Sequence, residues 1–244
     1  MRPYEGRRVL LGVTGGIASY KTAWLARLLA QAGAEVDVVM SKSAREFIGA
    51  VTFEALTGRP VHTELVAEGH ALDHIKLARA AALIVVAPAT ADFLSRAASG
   101  RSDDLLTACL LAADAPVLLV PAMNDRMWAH PQTVANVAHL RSLGYSVLDP
   151  EAGPLASPHE GAGPGRMPDR SATGLARLEA SLAISLLRPT PTEQWRRISS
   201  ATRQRISAAM EGPSPSSRAD PVTSMKASSS EIPSTSGVYD SKMR

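Results

Sequence analysis

Asn124 lies in the stretch Pro121-Ala-Met-Asn-Asp-Arg-Met-Trp128, directly after the apolar run Ala115-Pro-Val-Leu-Leu-Val-Pro121. That run is bounded by prolines and too short for a helix, so it predicts a buried strand with an amide side chain at its carboxyl end. In an open parallel sheet, the crevice beyond such strand ends is where ligands bind. The simpler role for Asn124 is to shape a turn, because asparagine bonds readily to nearby backbone amides. His74, in Leu72-Asp-His-Ile-Lys-Leu77, belongs to the residue type best suited to taking and giving a proton near neutrality. It is one of six histidines, and a histidine at the front of a short helix also serves structure alone. Asp73 beside it reads as a helix cap and not as a catalytic partner.

A third segment, Gly12-Val-Thr-Gly-Gly-Ile-Ala-Ser-Tyr-Lys21, is a glycine turn feeding a helix. Glycines let backbone N–H groups approach an anion, and the first helical turn leaves donors unpaired, so a phosphate is the natural guest. The spacing is neither the dinucleotide fingerprint nor a P-loop, which favours one phosphate, as on a mononucleotide, over a pyrophosphate. The alternative is a turn that serves packing only. Met40-Ser-Lys-Ser-Ala-Arg-Glu-Phe47 places small polar residues at a second strand end, where Ser41 or Ser43 can cap a helix, face a ligand, or both. Pro88-Ala-Thr-Ala-Asp92 places the Thr90 hydroxyl at a third, with Pro88 closing the strand.

The elements that carry these groups are apolar runs at 8–13, 35–40, 82–87 and 116–120, with a weaker one at 145–148. Helical periodicity fills the intervals at 17–31, 92–98, 103–112 and 131–143, and Gly33 stands where the first helix should stop. Strands alternating with helices predict parallel pairing and right-handed crossovers, hence an α/β, doubly wound, three-layer Rossmann-like fold. Strands buried on both faces explain why the runs are continuously apolar.

Composition divides the chain. Between 189 and 244, 24 of 56 residues are Ser, Thr or Pro and hydrophobic periodicity vanishes, which predicts a domain over 1–188 and a low-complexity, disordered C-terminal tail over 189–244. The tail holds eight basic and five acidic residues, leaving 18 of each sign before it, so the whole excess of +3 belongs to the tail. A balanced domain gives no reason to expect nucleic acid. The single cysteine, Cys109, permits neither an internal disulfide nor a cysteine-based metal site, and suits a reducing compartment. The early arginines and apolar run of 1–34 mimic a secretory signal, but Gly15-Gly16 and Lys21 interrupt it, so a cytoplasmic location is expected, with no membrane span.

Pro-Ala-Met-Asn-x-x-Met-Trp resembles the signature of the flavin-dependent cysteine decarboxylases, a family that includes the phosphopantothenoylcysteine decarboxylases of coenzyme A biosynthesis and the peptidyl-cysteine decarboxylases of lantibiotic maturation. Gly12 to Lys21, Ser41 to Phe47 and His74 to Asp92 resemble the same family, so the likeness spans nearly all of 1–188. It implies FMN held by Gly15, Gly16, Ile17, Ser41, Ser43, Ala89, Thr90 and Ala122. It makes His74 the proton-transfer residue and Asn124 the group that binds the substrate carboxylate, with Met127 and Arg166 also against the substrate. It further implies a trimer, or a multiple of trimers, with flavin between neighbouring subunits. The chemistry implied is hydride transfer to flavin from the carbon bearing the thiol, giving a thioaldehyde whose neighbouring carboxylate leaves as carbon dioxide.

The departure is in the segment that resembles the family's substrate clamp. Gly153-Pro-Leu-Ala-Ser157 and Gly163-Pro-Gly-Arg-Met167 match its two halves, but Ser157 stands where a proton-donating cysteine is expected, and Pro158-His-Glu-Gly-Ala162 is a longer insert than usual. A hydroxyl is a far weaker acid than a thiol. Either His159 donates the proton or the reaction stops at the ene-thiol, as in the peptidyl-cysteine decarboxylases. A second departure puts two acids at Asp103-Asp104, where Asn-Asp is common in the family. Three functions follow as expectations: decarboxylation of 4′-phosphopantothenoyl-cysteine toward 4′-phosphopantetheine, oxidative decarboxylation of a peptide's C-terminal cysteine, or a non-catalytic regulatory flavoprotein acting through its tail. A free-standing decarboxylase with an extension and a truncated or frame-shifted fusion to a ligase both fit that tail.

Overall fold

The computed structural model describes residues 3–66, 68–69, 71–157, 159–168, 180 and 182–183. The boundary expected near 188 and the tail 189–244 lie outside the described residues. All described residues fall in the first of two units, Met1–Ala201 and Thr202–Arg244.

The elements run β1 (Arg8–Val13), α1 (Ser19–Gln31), β2 (Glu35–Met40), a 3-10 turn (Lys42–Glu46), α2 (Ala50–Thr57), β3 (Val61–His62), α3 (Asp73–Ala80) and β4 (Leu83–Ala89). They continue with α4 (Ala91–Ala98), α5 (Leu105–Leu111), β5 (Val117–Pro121), α6 (Asp125–Ala129), α7 (Pro131–Ser142), β6 (Ser146–Val147), β7 (Glu151–Pro154) and β8 (Ala162–Arg166). Six strands form one parallel sheet in the order β3-β2-β1-β4-β5-β6, and β7 pairs antiparallel with β8 as a separate hairpin. Chain order reverses between β1 and β4, and this switch point opens a crevice at the strands' carboxyl ends.

Alternation along the strands builds two cores, one on each face of the sheet. Leu10, Val39, Ile84, Val86 and Leu119 pack against Leu77, Phe93, Leu94, Leu106 and Leu140 of α3, α4, α5 and α7. Val9, Leu11, Val38, Val85 and Leu118 pack against Leu25, Leu29 and Phe53 of α1 and α2. The one buried acid among the described residues of these strands, Asp37, is satisfied by Arg59 Nε at 2.7 Å, with Arg8 Nε at 3.6 Å.

The expected strands and helices of the sheet are present, and one boundary is corrected. β4 does not stop before Pro88: it runs through a cis Ala87–Pro88 bond to Ala89, with its register against β5 shifting between Val86 and Ala89. Asp73 is the first residue of α3, not its cap, and pairs with Lys76 Nζ at 3.4 Å. The clamp-like segment, rich in glycine and proline, forms the β7–β8 hairpin. Its seat is tight, because a side chain at Gly165 would fall on the Met123 carbonyl and one at Gly163 would strike Asp125.

Candidate active site at the sheet switch point

Thr14, just beyond β1, holds the switch point together. Its Oγ1 donates to Pro88 O at 2.6 Å and accepts from Thr90 N at 3.2 Å, pinning the ends of β1 and β4. Thr90 in turn caps α4 through Phe93 N, and Thr22 of α1 donates to Ala87 O at 2.7 Å. These bonds fix a cavity of about 710 Å³ whose floor is Gly15, Gly16, Ser43, Thr90 and Ala122, and whose cover is Leu155, Arg166 and Met167 of the hairpin region.

Two observations fit a phosphorylated cofactor at its floor. The N-terminus of α1, which opens onto this floor, has no side-chain cap, as is also true of α2 and α3. Gly15 approaches Ser43 so closely that a Cβ would overlap the serine Oγ, and at Gly16 a Cβ would take space within 3.7 Å of Thr90 Cγ2. Backbone donors therefore face a cradle whose close approach to Ser43 requires glycine at position 15. Ile17, Ala122, Met123, Met127 and Met167 add apolar wall, which suits a planar ring.

Asn124 shapes the local turn and also faces the cavity. Its Oδ1 accepts from Arg126 N at 2.9 Å and so caps α6, while the side chain lines the cavity and its Nδ2 donates to Glu160 Oε1 at 3.1 Å. The hairpin's root is tied down by Met123 N to Gly165 O at 3.0 Å and by Lys21 Nζ to Met167 O at 2.6 Å.

Of the sequence-derived residues, Gly15, Gly16, Ile17, Ser43, Thr90, Ala122, Asn124, Met127 and Arg166 line this cavity. Ser41 and Ala89 do not: Ser41 turns inward to cap the 3-10 turn through Ala44 N at 3.3 Å, and Ala89 is wholly buried in the core. Ser157 and His159 lie in the hairpin turn, where His159 N donates to Ser157 Oγ at 3.3 Å, and neither lines the cavity. His74 lies in a different cavity, of about 480 Å³, with Val66, Ile75 and Leu111. Its Nδ1 is buried and has no hydrogen-bond partner among the described residues. Thr14, Tyr20, Lys21, Leu155 and Glu160 were not singled out from sequence. The first three lie within or beside the glycine motif, but nothing in the order of residues shows which side chains point across the switch point.

Cys109 is no substitute for the missing clamp cysteine. Burial, with Asp104 and Asp73 adding to it, pushes its thiol up to about 12. Among the described residues no cluster of His, Cys, Asp and Glu could hold a metal ion, and no helix is long and apolar enough to cross a membrane.

The chain belongs to the flavoprotein family, whose profile, described as "Flavoprotein", matches residues 1–172. The fold and the switch-point cavity agree with that class. Among individual proteins, it is 51% identical over 181 residues to the coenzyme A biosynthesis bifunctional protein CoaBC of Mycolicibacterium smegmatis, an alignment covering 74% of this chain and 43% of that protein. The chain thus spans less than half the length of that relative. The crystal structure of the FMN-dependent cysteine decarboxylase SpaF is similar at 33% identity and a TM-score of 0.59, with 73% of this chain and 99% of that one covered. A cysteine-to-serine mutant of a PPC decarboxylase, complexed with pantothenoylaminoethenethiol, is similar at 29% identity and a TM-score of 0.60, covering 72% and 97%.

Proposed function

We propose that this chain is an FMN-dependent carboxy-lyase acting on 4′-phosphopantothenoyl-cysteine, on the route to 4′-phosphopantetheine in coenzyme A biosynthesis. The observation that carries this reading is Asn124, whose amide lines the same cavity as the Gly15-Gly16 cradle of α1. Identity of 51% to a coenzyme A biosynthesis protein supports the substrate, and the relation to an FMN-dependent decarboxylase supports FMN as the flavin.

A bound flavin supplies a two-electron acceptor for the carbon that carries the substrate thiol. The protein's part is placement. Asn124 Nδ2 donates to the departing carboxylate and orients it, Met127 packs on the substrate stem, and Arg166 meets the substrate phosphate. The β7–β8 hairpin covers the cavity and keeps water from it.

His74 is the proton-transfer group of this proposal, and it reaches Asn124 only across a subunit boundary. Within one chain the two residues line different cavities. Val66 and Leu111, beside His74, are large apolar residues exposed at 83% and 58%, and the buried Nδ1 has no partner among the described residues. A homo-oligomer, trimeric or a multiple of trimers, covers this face and brings the two halves together in the cytoplasm. The decarboxylase unit is assigned to residues 1–188.

Ser157 favours one second reading, in which the reaction ends at the ene-thiol of a peptide's C-terminal cysteine. The test is anaerobic mixing of flavin-loaded protein with 4′-phosphopantothenoyl-cysteine, following flavin absorbance and product mass. Bleaching with release of carbon dioxide supports the proposal; its recovery with 4′-phosphopantetheine shows the full cycle, and persistence with an ene-thiol mass shows arrest at Ser157. No bleaching with this substrate, but bleaching with a peptide ending in cysteine, selects the second reading.

A further inference from the structure

The Glu160 carboxylate sits on the amide that the proposed function reserves for the substrate. Its Oε1 accepts from Asn124 Nδ2 at 3.1 Å, and its Oε2 accepts from Ser157 N at 3.1 Å. The turn that presents it is held by Glu160 N to Ser157 O at 3.0 Å and Leu155 N to Gly161 O at 2.9 Å, with Gly161 at a positive φ of 74°. Both Asn124 and Glu160 line the cavity. We infer that Glu160 is an internal stand-in for the substrate carboxylate, latching the hairpin tip over the cavity until a ligand carboxylate displaces it.

The inference rests on the proposed role of Asn124. Two carboxylates drawn to one amide nitrogen repel each other, so the ligand's carboxylate and Glu160 bind there in competition. Displacement frees only the tip. The root keeps its bonds from Met123 N to Gly165 O and from Lys21 Nζ to Met167 O, so the hairpin stays seated while the turn swings. Glu160 is exposed, and its loss leaves no buried group unpaired. A ligand without a carboxylate does not compete with Glu160 for Asn124, so the latch weakens carboxylate ligands alone.

The test is equilibrium titration of the full-length, flavin-loaded protein with two ligands. One is the serine counterpart of the substrate, which keeps the carboxylate but lacks the reacting thiol; the other is 4′-phosphopantetheine, which lacks the carboxylate. Glu160→Ala should bind the first about fivefold more tightly, the scale of one exposed hydrogen bond, and the second unchanged. Glu160→Gln, whose amide oxygen accepts without charge, should show a smaller gain in the same direction. Unchanged or weaker binding of the carboxylate ligand in both variants overturns the latch and makes Glu160 a brace for the hairpin. Asn124→Ala separates the two levels of the argument. If it weakens the carboxylate ligand and abolishes the effect of Glu160→Ala, the latch is supported. If it leaves that ligand's affinity intact, the carboxylate role of Asn124 fails and the latch with it.

Discussion

Thr14 and Thr90, 76 residues apart, are joined by a bond from Thr90 N to Thr14 Oγ1 at 3.2 Å, with Thr14 itself only 2% exposed. Replacing Thr14 with valine keeps the volume but strands the Thr90 amide and the Pro88 carbonyl at the cavity floor. The expected cost is about 1–3 kcal/mol, seen as a lower Tm, together with reduced flavin retention after gel filtration.

Asn124→Ala should purify with flavin bound, because the cradle at Gly15 and Gly16 lies on another strand end. Under the proposed function, turnover of 4′-phosphopantothenoyl-cysteine should fall by about a hundredfold or more, since the departing carboxylate would lose its orienting donor. Steady-state carbon dioxide release, with flavin absorbance as the loading control, measures both.

Gly165→Ala places a methyl group on the Met123 carbonyl and must lift β8 from its seat. Flavin content is expected to persist while KM for the substrate rises. Limited proteolysis should cut within 151–166 faster than in the parent.

Asp104 caps α5 in a reciprocal box with Thr107 and pairs with Arg96 Nη1 at 2.6 Å. Burial works against its charge, yet the Thr107 amide, Arg96 and the Thr107 hydroxyl hold the carboxyl below its ordinary range. Because the folded value lies below the unfolded one, this stabilisation is complete above the unfolded value of about 4 and is lost as pH falls through the folded one. Asp104→Ala should lower stability by about 1–2 kcal/mol at pH 7 and flatten that acid-side dependence. Urea melts between pH 7 and pH 3 read both effects. This gives the second acid of Asp103-Asp104 a structural role.

With its thiol pushed up to about 12, Cys109 should resist alkylation at pH 8 in the folded protein and react on unfolding. Ser157→Cys restores an acidic proton to the hairpin turn, and should speed the return of oxidised flavin after a single anaerobic turnover. Parent and variant are compared by stopped-flow absorbance.

The order of residues determined the layered α/β fold, because continuous apolar runs such as Leu83–Ala87 can be satisfied only by a strand covered on both faces. It also exposed the glycine cradle and Asn124, whose residue types are restrictive wherever they occur. Short-range pattern could not reveal β3, only two residues long at the sheet edge, or a hairpin built from glycine and proline. What the tertiary structure alone decided was distance. It set Glu160 on Asn124 across 36 residues, turned Ser41 and Ala89 away from the cavity, and placed His74 in another. Those relations depend on how helices and strands pack against one another, and local spacing along the chain does not contain that information.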